Sequence, residues 1–523
     1  MLQNSAIVVS MDEQGRKMTR LPKDLLHQLM RCELSSKALT TELINNNKAH
    51  ASLNAIVYER FSHAEEDAAQ RDAYIHSHGK ASGLLHGLPI TIKECFDLSG
   101  TASTFGVSAR KRDIPSQNNV YIEALMKSGA VVLGKTNVSQ LLSFTETDNP
   151  VFGVTLHPKN KKYSCGGSSG GEGALVGAGL SPLGIGNDIG GSIRVPAAVN
   201  GCCAIKPTTQ RLRDNTRCLP EQDLIPIKAA VGPLSQDAST LHNALTVLND
   251  AVQDEWPVKP LRDYRDIDLS SLKIGYFTDD GAFPVATAVK DGVLNAVAEL
   301  KAQGAQVIEY VLPHLDEAEA IFYGAMSLDK GKILSRALQG DTPNQNVAML
   351  HKIVPLPHSV ITMLYYVLRG LGQKHQSRIL KMVGHYTLDN VAELEARLTN
   401  YVKRVEDSMA STSIGALDAV ISPILPVPAY LQNSFKHMGL GGRYSLMHNV
   451  TGFPAGIACV GTVKENESNS QFSDIDIAER QANHCMKSAK GLPLSVQIAA
   501  PAWREDIVLA VIDALHQPYT QKL

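Results

Sequence analysis

Residues 163–201 read YSCGGSSGGEGALVGAGLSPLGIGNDIGGSIRVPAAVNG, with twelve glycines, five serines and three charged side chains, Glu172, Asp188 and Arg194. Ordered glycine costs backbone entropy, so a dense run marks backbone that must approach something closely or take φ > 0. A flexible Gly/Ser linker shares those two residue types. It lacks the apolar residues threaded through this stretch: Ala174, Leu175, Val176, Leu180, Leu183, Ile185, Ile189, Ile193 and Val195. These supply the apolar surface that disordered segments are without. Two glycine clusters, residues 166–171 and 190–192, hold serines. A hydroxyl beside exposed backbone N–H groups offers both the nucleophile and the oxyanion site that acyl transfer needs.

The chain has 523 residues, 44% hydrophobic and 20% charged, with a net charge of −2. This is a globular composition, and the length allows about two to four domains or one large enzyme. The near-neutral balance gives no electrostatic footprint for nucleic acid. Two tryptophans and 5% aromatics make a poor platform for stacking bases. None of the eight cysteines (32, 95, 165, 202, 203, 218, 459 and 485) forms a CxxC pair. A zinc site or disulfide framework is therefore not expected, and free thiols suit a reducing compartment. The opening MLQNSAIVVSMDEQGRK has no basic region before its apolar patch, so neither a signal peptide nor a spanning helix is read there. The expectation is a cytoplasmic protein.

Apolar spacing predicts a helix over residues 22–47 with a break near Ser35, and a polar helix over 62–76. Residues 88–96, LPITIKECF, read as a strand. A helix and the strand 130–133 follow from 118. Residues 227–252 read as strand, turn and helix, and 272–277, 286–303 and 306–312 as a right-handed βαβ unit. Strands at 419–424 and 492–499 precede a final helix at 505–516, and 465–476 reads as a polar surface loop. The alternation predicts an α/β fold with a largely parallel or mixed sheet surrounded by helices.

Three short patterns invite a function. Residues 129–136, GAVVLGKT, match the phosphate-binding loop letter for letter. That chemistry needs an open loop, whereas AVVL is strand-like. GGSSGG fits GxSxG on Ser168 and on Ser169, but KNKKYSC before it is not the hydrophobic strand that a nucleophile elbow requires. A Ser–His–Asp enzyme stays open on composition, given 17 histidines. The third pattern pairs Lys93 with Ser168 and Ser192. Most lysines are surface residues. One at the end of an apolar strand is unusual, because a buried cation is costly.

The chain resembles the amidase signature family. The core GGSSGGEGALVGAGLSPLGIGNDIGGSIRVPAAVNGCCAIKPT, the upstream GLPITIKECFD and the intervening GKTNVSQLLSFTETDNPVFG carry the likeness. It extends over residues 22–516, read as one large domain between an extension at 1–21 and a tail at 517–523. Within the family the chain is similar to the fatty acid amide hydrolases, through TIKECFD, GFPAGIACVGTV and GLPLSVQIAAPAWREDIVLAVI. It departs from them in lacking a hydrophobic amino-terminal helix and in placing Asn187, rather than threonine, before Asp188. The latter is expected to reshape the acyl side of the pocket.

The resemblance implies Ser192 as nucleophile, Ser168 as a bridging serine on a cis Gly167–Ser168 peptide, and Lys93 as general base. It also implies an oxyanion hole of the N–H groups of Ile189, Gly190, Gly191 and Ser192, and no metal or organic cofactor. Ser169 is expected to hydrogen-bond Lys93, and Asp188 with Arg194 to anchor the loop. The chemistry fits independently. A serine needs a base, an ordinary lysine is cationic at pH 7 with a pKa near ~10.4, and full burial lowers that by as much as ~3–5 pH units.

Residues 347–371 read VAMLHKIVPLPHSVITMLYYVLRGL, followed by Lys374, His375, Arg378 and Lys381. The uncharged run 359–368 is too short to span a bilayer. An apolar face beside a basic cluster suits an interfacial helix, and an ordinary core helix pair fits equally. The corresponding part of fatty acid amide hydrolases caps onto membrane, so 345–385 is the candidate cap, with peripheral membrane contact through 347–381. Leu142, Phe144 and Tyr366 are the candidate substrate-lining residues. The expected reaction is acyl-enzyme formation and hydrolysis of a lipid amide. A soluble short-chain or aryl amidase and the A subunit of a tRNA-dependent amidotransferase are the alternatives, and a homodimer is left open.

Overall fold

Strand periodicity divides the apolar residues between two cores. Cys203 and Ile205 enter one and Ala204 the other; Ala419 and Ile421 enter the first and Val420 the second. Successive side chains on a strand point to opposite faces, so both faces of the sheet are covered. Helices Ala238–Asp250 and Glu505–Thr520 contribute to one core. Leu315–Met326, Val391–Ala410 and Arg443–Val450 contribute to the other.

The computed structural model describes residues 9–11, 17–218, 225–256, 258–384, 386–468 and 472–520. Strands β1 (Val9–Met11) and β2 (Lys17–Thr19) pair antiparallel in the amino-terminal extension. The remaining strands are β3 (Ile56–Glu59), β4 (Pro89–Lys93), β5 (Val131–Thr136), β6 (Leu183–Asp188), β7 (Cys203–Lys206), β8 (Ala230–Ser235), β9 (Lys273–Tyr276), β10 (Gln306–Glu309), β11 (Ala419–Ser422), β12 (Ala455–Thr462) and β13 (Pro493–Ala499). They form one 11-stranded sheet in the order β10-β9-β11-β13-β12-β7-β8-β6-β4-β5-β3. The sheet is mixed: β10, β9 and β11 run parallel, as do β5, β4 and β6, and antiparallel pairs join these blocks.

The predicted helix over 22–47 is two helices, Pro22–Met30 and Ser36–Ala49, with Ser35 capping the second through Ala38 N. Glu505–Thr520 continues past the boundary read at His516. Residues 1–8 and 12–16 of the extension, 469–471 of the polar loop and 521–523 of the tail lie outside the described residues. β5 is buried throughout. Lys135 in it donates to Ala102 O at 2.7 Å and Ser103 Oγ at 3.1 Å, so GAVVLGKT is a core strand and not a phosphate loop.

β4 decides where the site lies. It sits between β5 and β6 with every residue buried. Ile90 and Ile92 fill the apolar core, while Thr91 and Lys93 alternate with them and reach Glu172 and Ser168. The glycines nearby serve close approach. A Cβ on Gly173 would sit 2.6 Å from Pro196 Cβ, and one on Gly186 2.7 Å from Ser169 Oγ. Helix Gly170–Gly177 thereby packs tightly on Arg194–Asn200 and on β6.

Gly232 in β8 faces Ile205 O of β7 so closely that a Cβ would collide with it. Gly232→Ala should lower stability by ~1–3 kcal/mol through forced strand separation. Calorimetry should show a lower Tm, and an unchanged Tm would refute this reading of the contact.

Candidate active site

Lys93 is buried, and its Nζ contacts two residues. It lies 2.8 Å from Ser168 Oγ and 2.6 Å from Asn187 Oδ1, with Asn187 O at 3.5 Å. Burial lowers its pKa from 10.5, partly opposed by Cys95, Asp214, Asp188 and Cys218. The amine thus loses the hydration that normally favours its charged form. The Gly167–Ser168 peptide is cis.

Ser169 does not reach Lys93 as expected. Its Oγ is buried without a hydrogen-bond partner among the described residues, and Asn187 supplies the second contact to the amine. Its backbone ties the two serine segments together, Ser169 N donating to Ser192 O at 3.1 Å. The Ser192 hydroxyl itself makes no hydrogen bond with a described residue. No histidine ring bonds to Ser168, Ser169 or Ser192 among the described residues, which counts against a Ser–His–Asp arrangement.

Ser192 rides on a loop held by a buried ion pair. Arg194 grips the Asp188 carboxylate through Nε at 3.0 Å and Nη2 at 2.9 Å, and also donates to Gln497 and Asn449 at 2.6 Å each. Asp188 accepts from Gly191 N, Ile193 N and Arg194 N, and from Asn449 Nδ2. Burial pushes the Asp188 carboxyl up, but the Arg194 charge and these hydrogen bonds outweigh it and hold the group well below the carboxylate range. Asp188 and Arg194 thus bind each other and the backbone from Gly191 to Arg194.

The same bonds correct the expected oxyanion donors. The Gly191 N–H is taken by Asp188 Oδ1 at 2.8 Å. Ile189, Gly190 and Ser192 keep N–H groups with no acceptor among the described residues. Gly190 O accepts from Ser445 Oγ at 2.9 Å, and a Cβ on Gly190 would meet the Phe322 ring at 2.9 Å. Phe322, Ser445 and Asn449 were not legible as site residues, since they come from distant helices with no motif of their own.

The Asn187 side chain lies between Lys93 and Asp214. Besides binding Lys93, its Nδ2 donates to Asp214 Oδ2 at 2.7 Å. Leu142 and Phe144 are half-buried in the segment against Gly167, where a Cβ would sit 2.8 Å from Phe144 O. Tyr366 is on helix His358–Gly370 and is 67% exposed. Among the described residues no group of His, Cys, Asp and Glu could hold a metal ion.

The sequence profile of the amidase family matches residues 38–509. The chain belongs to the amidase family. This amidase is 33% identical over 438 residues to fatty-acid amide hydrolase 1 of Sus scrofa, covering 82% of this chain and 74% of that one. It is 28% identical over 486 residues to fatty acid amide hydrolase 1 of Caenorhabditis elegans, covering 91% and 83%. A solved fatty acid amide hydrolase shares its fold with a TM-score of 0.78 at 24% identity, covering 95% of this chain and 84% of that one. The amidase is accordingly a hydrolase acting on amides.

Arg194→Leu removes one partner of a pair that is 0% exposed on both sides, leaving Asp188 buried and uncompensated. Loss of a buried partner costs ~3–5 kcal/mol. Urea unfolding should show a loss of that size; a change below ~1 kcal/mol would place the pair among exposed ones.

Proposed function

We propose that this amidase cleaves long-chain fatty acid amides through an acyl-enzyme on Ser192, with Ser168 and Lys93 moving the proton. The observation that carries the reading is the buried 2.8 Å contact of Lys93 Nζ with Ser168 Oγ, one loop-to-loop hydrogen bond from Ser192. The Ser192 hydroxyl turns between staggered rotamers to close the relay, as resting catalytic hydrogen bonds often tighten only with substrate. Lys93 accepts the Ser168 proton as Ser168 takes that of Ser192, and Ser192 Oγ bonds to the carbonyl carbon. The N–H groups of Ile189, Gly190 and Ser192 hold the oxyanion, each worth ~2.7–4 kcal/mol. The proton returns through Ser168 to the leaving nitrogen, the C–N bond breaks, and water then releases the acid by the same relay.

The lipid preference is supported by the two relatives' names and by an exposed apolar surface. Helix His358–Gly370 buries Ile361 alone, which favours a surface cap over a core helix pair. Met363, Tyr366, Val367 and Leu371 are exposed, and Ile475, which the sequence did not single out, lies against Gly372 and is 72% exposed. Helices Gln345–Ile353 and His358–Gly370 meet at 116°, and among the described residues no single helix is long and apolar enough to cross a membrane.

The basic flank is smaller than expected. Arg378 turns in to Asp316 and Glu319, and His375 to Glu479, leaving Arg369, Lys374 and Lys381 exposed. The start of this unit is pinned to the serine side. Asn344 N donates to Gln140 Oε1 and Asn344 Nδ2 to Asp148 O, both at 2.8 Å. Substrate leaving a membrane there reaches Ser192 past Phe144 and Leu142.

Fluorophosphonate labelling with peptide mapping should place the adduct on Ser192, and Lys93→Ala should lower oleamide kcat/KM by ~10²–10⁴-fold. Unchanged turnover in Lys93→Ala removes the relay. In a series from acetamide to oleamide, kcat/KM should rise with chain length, and a flat or falling series assigns the enzyme to short amides. Co-sedimentation with anionic liposomes should fall in Tyr366→Glu/Leu371→Glu; equal recovery in the supernatant rejects the membrane contact.

A further inference from the structure

The contacts of Lys93 raise a stereochemical question that the relay leaves open. A neutral lysine amine carries two N–H bonds and one lone pair, and it acts as a base towards Ser168 only if that lone pair faces Ser168 Oγ. Its three oxygen neighbours differ in what they can do. Asn187 Oδ1 at 2.6 Å and Asn187 O at 3.5 Å only accept; Ser168 Oγ at 2.8 Å both donates and accepts. The acceptor-only oxygens take N–H bonds in either protonation state, which leaves the lone pair one productive direction.

An amide provides this bias only while its oxygen faces the amine. Asp214 fixes that, because its carboxylate Oδ2 receives Asn187 Nδ2 at 2.7 Å. The flipped amide would set NH₂ against the amine and oxygen against the carboxylate, breaking both bonds. Asp214 is itself held, its Oδ1 accepting from Thr216 N at 2.9 Å and its N donating to Ala229 O. We propose that Asn187 and Asp214 are positioning residues of this amidase, a chain from carboxylate through amide that aims the Lys93 lone pair at Ser168. A threonine at 187 would offer a hydroxyl that both donates and accepts, and so would not enforce this direction. The inference rests on the Ser192–Ser168–Lys93 reading above.

Asp214 also acts through its charge. The ionisable groups facing Lys93 are Cys95 on its own segment, Asp188 at the end of β6, Glu172 on helix Gly170–Gly177, and Asp214 and Cys218 on the segment after β7. Asp214 favours the charged amine, so removing its charge lowers the Lys93 pKa further and extends base function to lower pH.

The test is the fluorophosphonate labelling rate constant of Ser192 against pH, in the wild type, Asp214→Asn, Asn187→Leu and Lys93→Ala. A rate constant does not depend on the fraction of folded protein, and half-exposed Asp214 is a mild site to alter. In Asp214→Asn the acidic limb should move down by about half a pH unit or more, with a plateau about fivefold or more below wild type. Asn187→Leu should lower the plateau by about tenfold or more. Variants that superimpose on wild type in limb and plateau, while Lys93→Ala abolishes the limb, overturn the positioning role and leave the relay standing. A wild-type rate with no limb, shared by Lys93→Ala, overturns both.

Discussion

A lysine amine kept out of water is the constraint on which the site depends. β4 is enclosed by parallel neighbours and ends in Lys93, whose Nζ is satisfied by a serine hydroxyl and an amide oxygen. Burial alone would make the charged amine expensive. The cost falls on the charged form, and a depressed pKa is what a lysine base needs near neutral pH. In the proposed relay, the same burial that challenges the fold equips the chemistry.

Two other buried charges serve geometry. Arg194 binds Asp188, Gln497 and Asn449, Asp188 accepts from the Gly191, Ile193 and Arg194 amides, and their charge pairing fixes the turn that carries Ser192. Glu172 is held between Thr91 Oγ1 at 2.5 Å and Thr136 Oγ1 at 2.8 Å, and burial raises its pKa to about 8. A protonated Glu172 beside the amine adds no charge to it at neutral pH, which leaves Asp188 and Asp214 as the acidic neighbours of Lys93.

The fold class and the serine-bearing stretch were legible because their signals are local. Apolar runs mark β4, β5, β9, β11 and β13, and the glycine density at 163–201 reflects steric exclusion that any close-packed helix must respect. β12 was not read as a strand, since Gly456 and Gly461 interrupt its apolar run. The contacts of the site were less legible, being tertiary. Ser169 sits next to Ser168 in sequence but not next to Lys93, and Asp214 gains meaning only through Asn187. Gly191 N–H carries no mark in the sequence that Asp188 would claim it. Arg378 and His375 looked like members of a basic cluster until Asp316, Glu319 and Glu479 were found facing them.

Burial should make Lys93 titrate below an ordinary lysine. Lysine ¹³Cε NMR of the intact enzyme, with the Lys93 resonance assigned by its loss in Lys93→Ala, reads that directly. The resonance lost in Lys93→Ala should reach the neutral-amine position at lower pH than those of the surface lysines, as should those of the buried Lys135 and Lys206. A Lys93 resonance that titrates together with the surface lysines would contradict it.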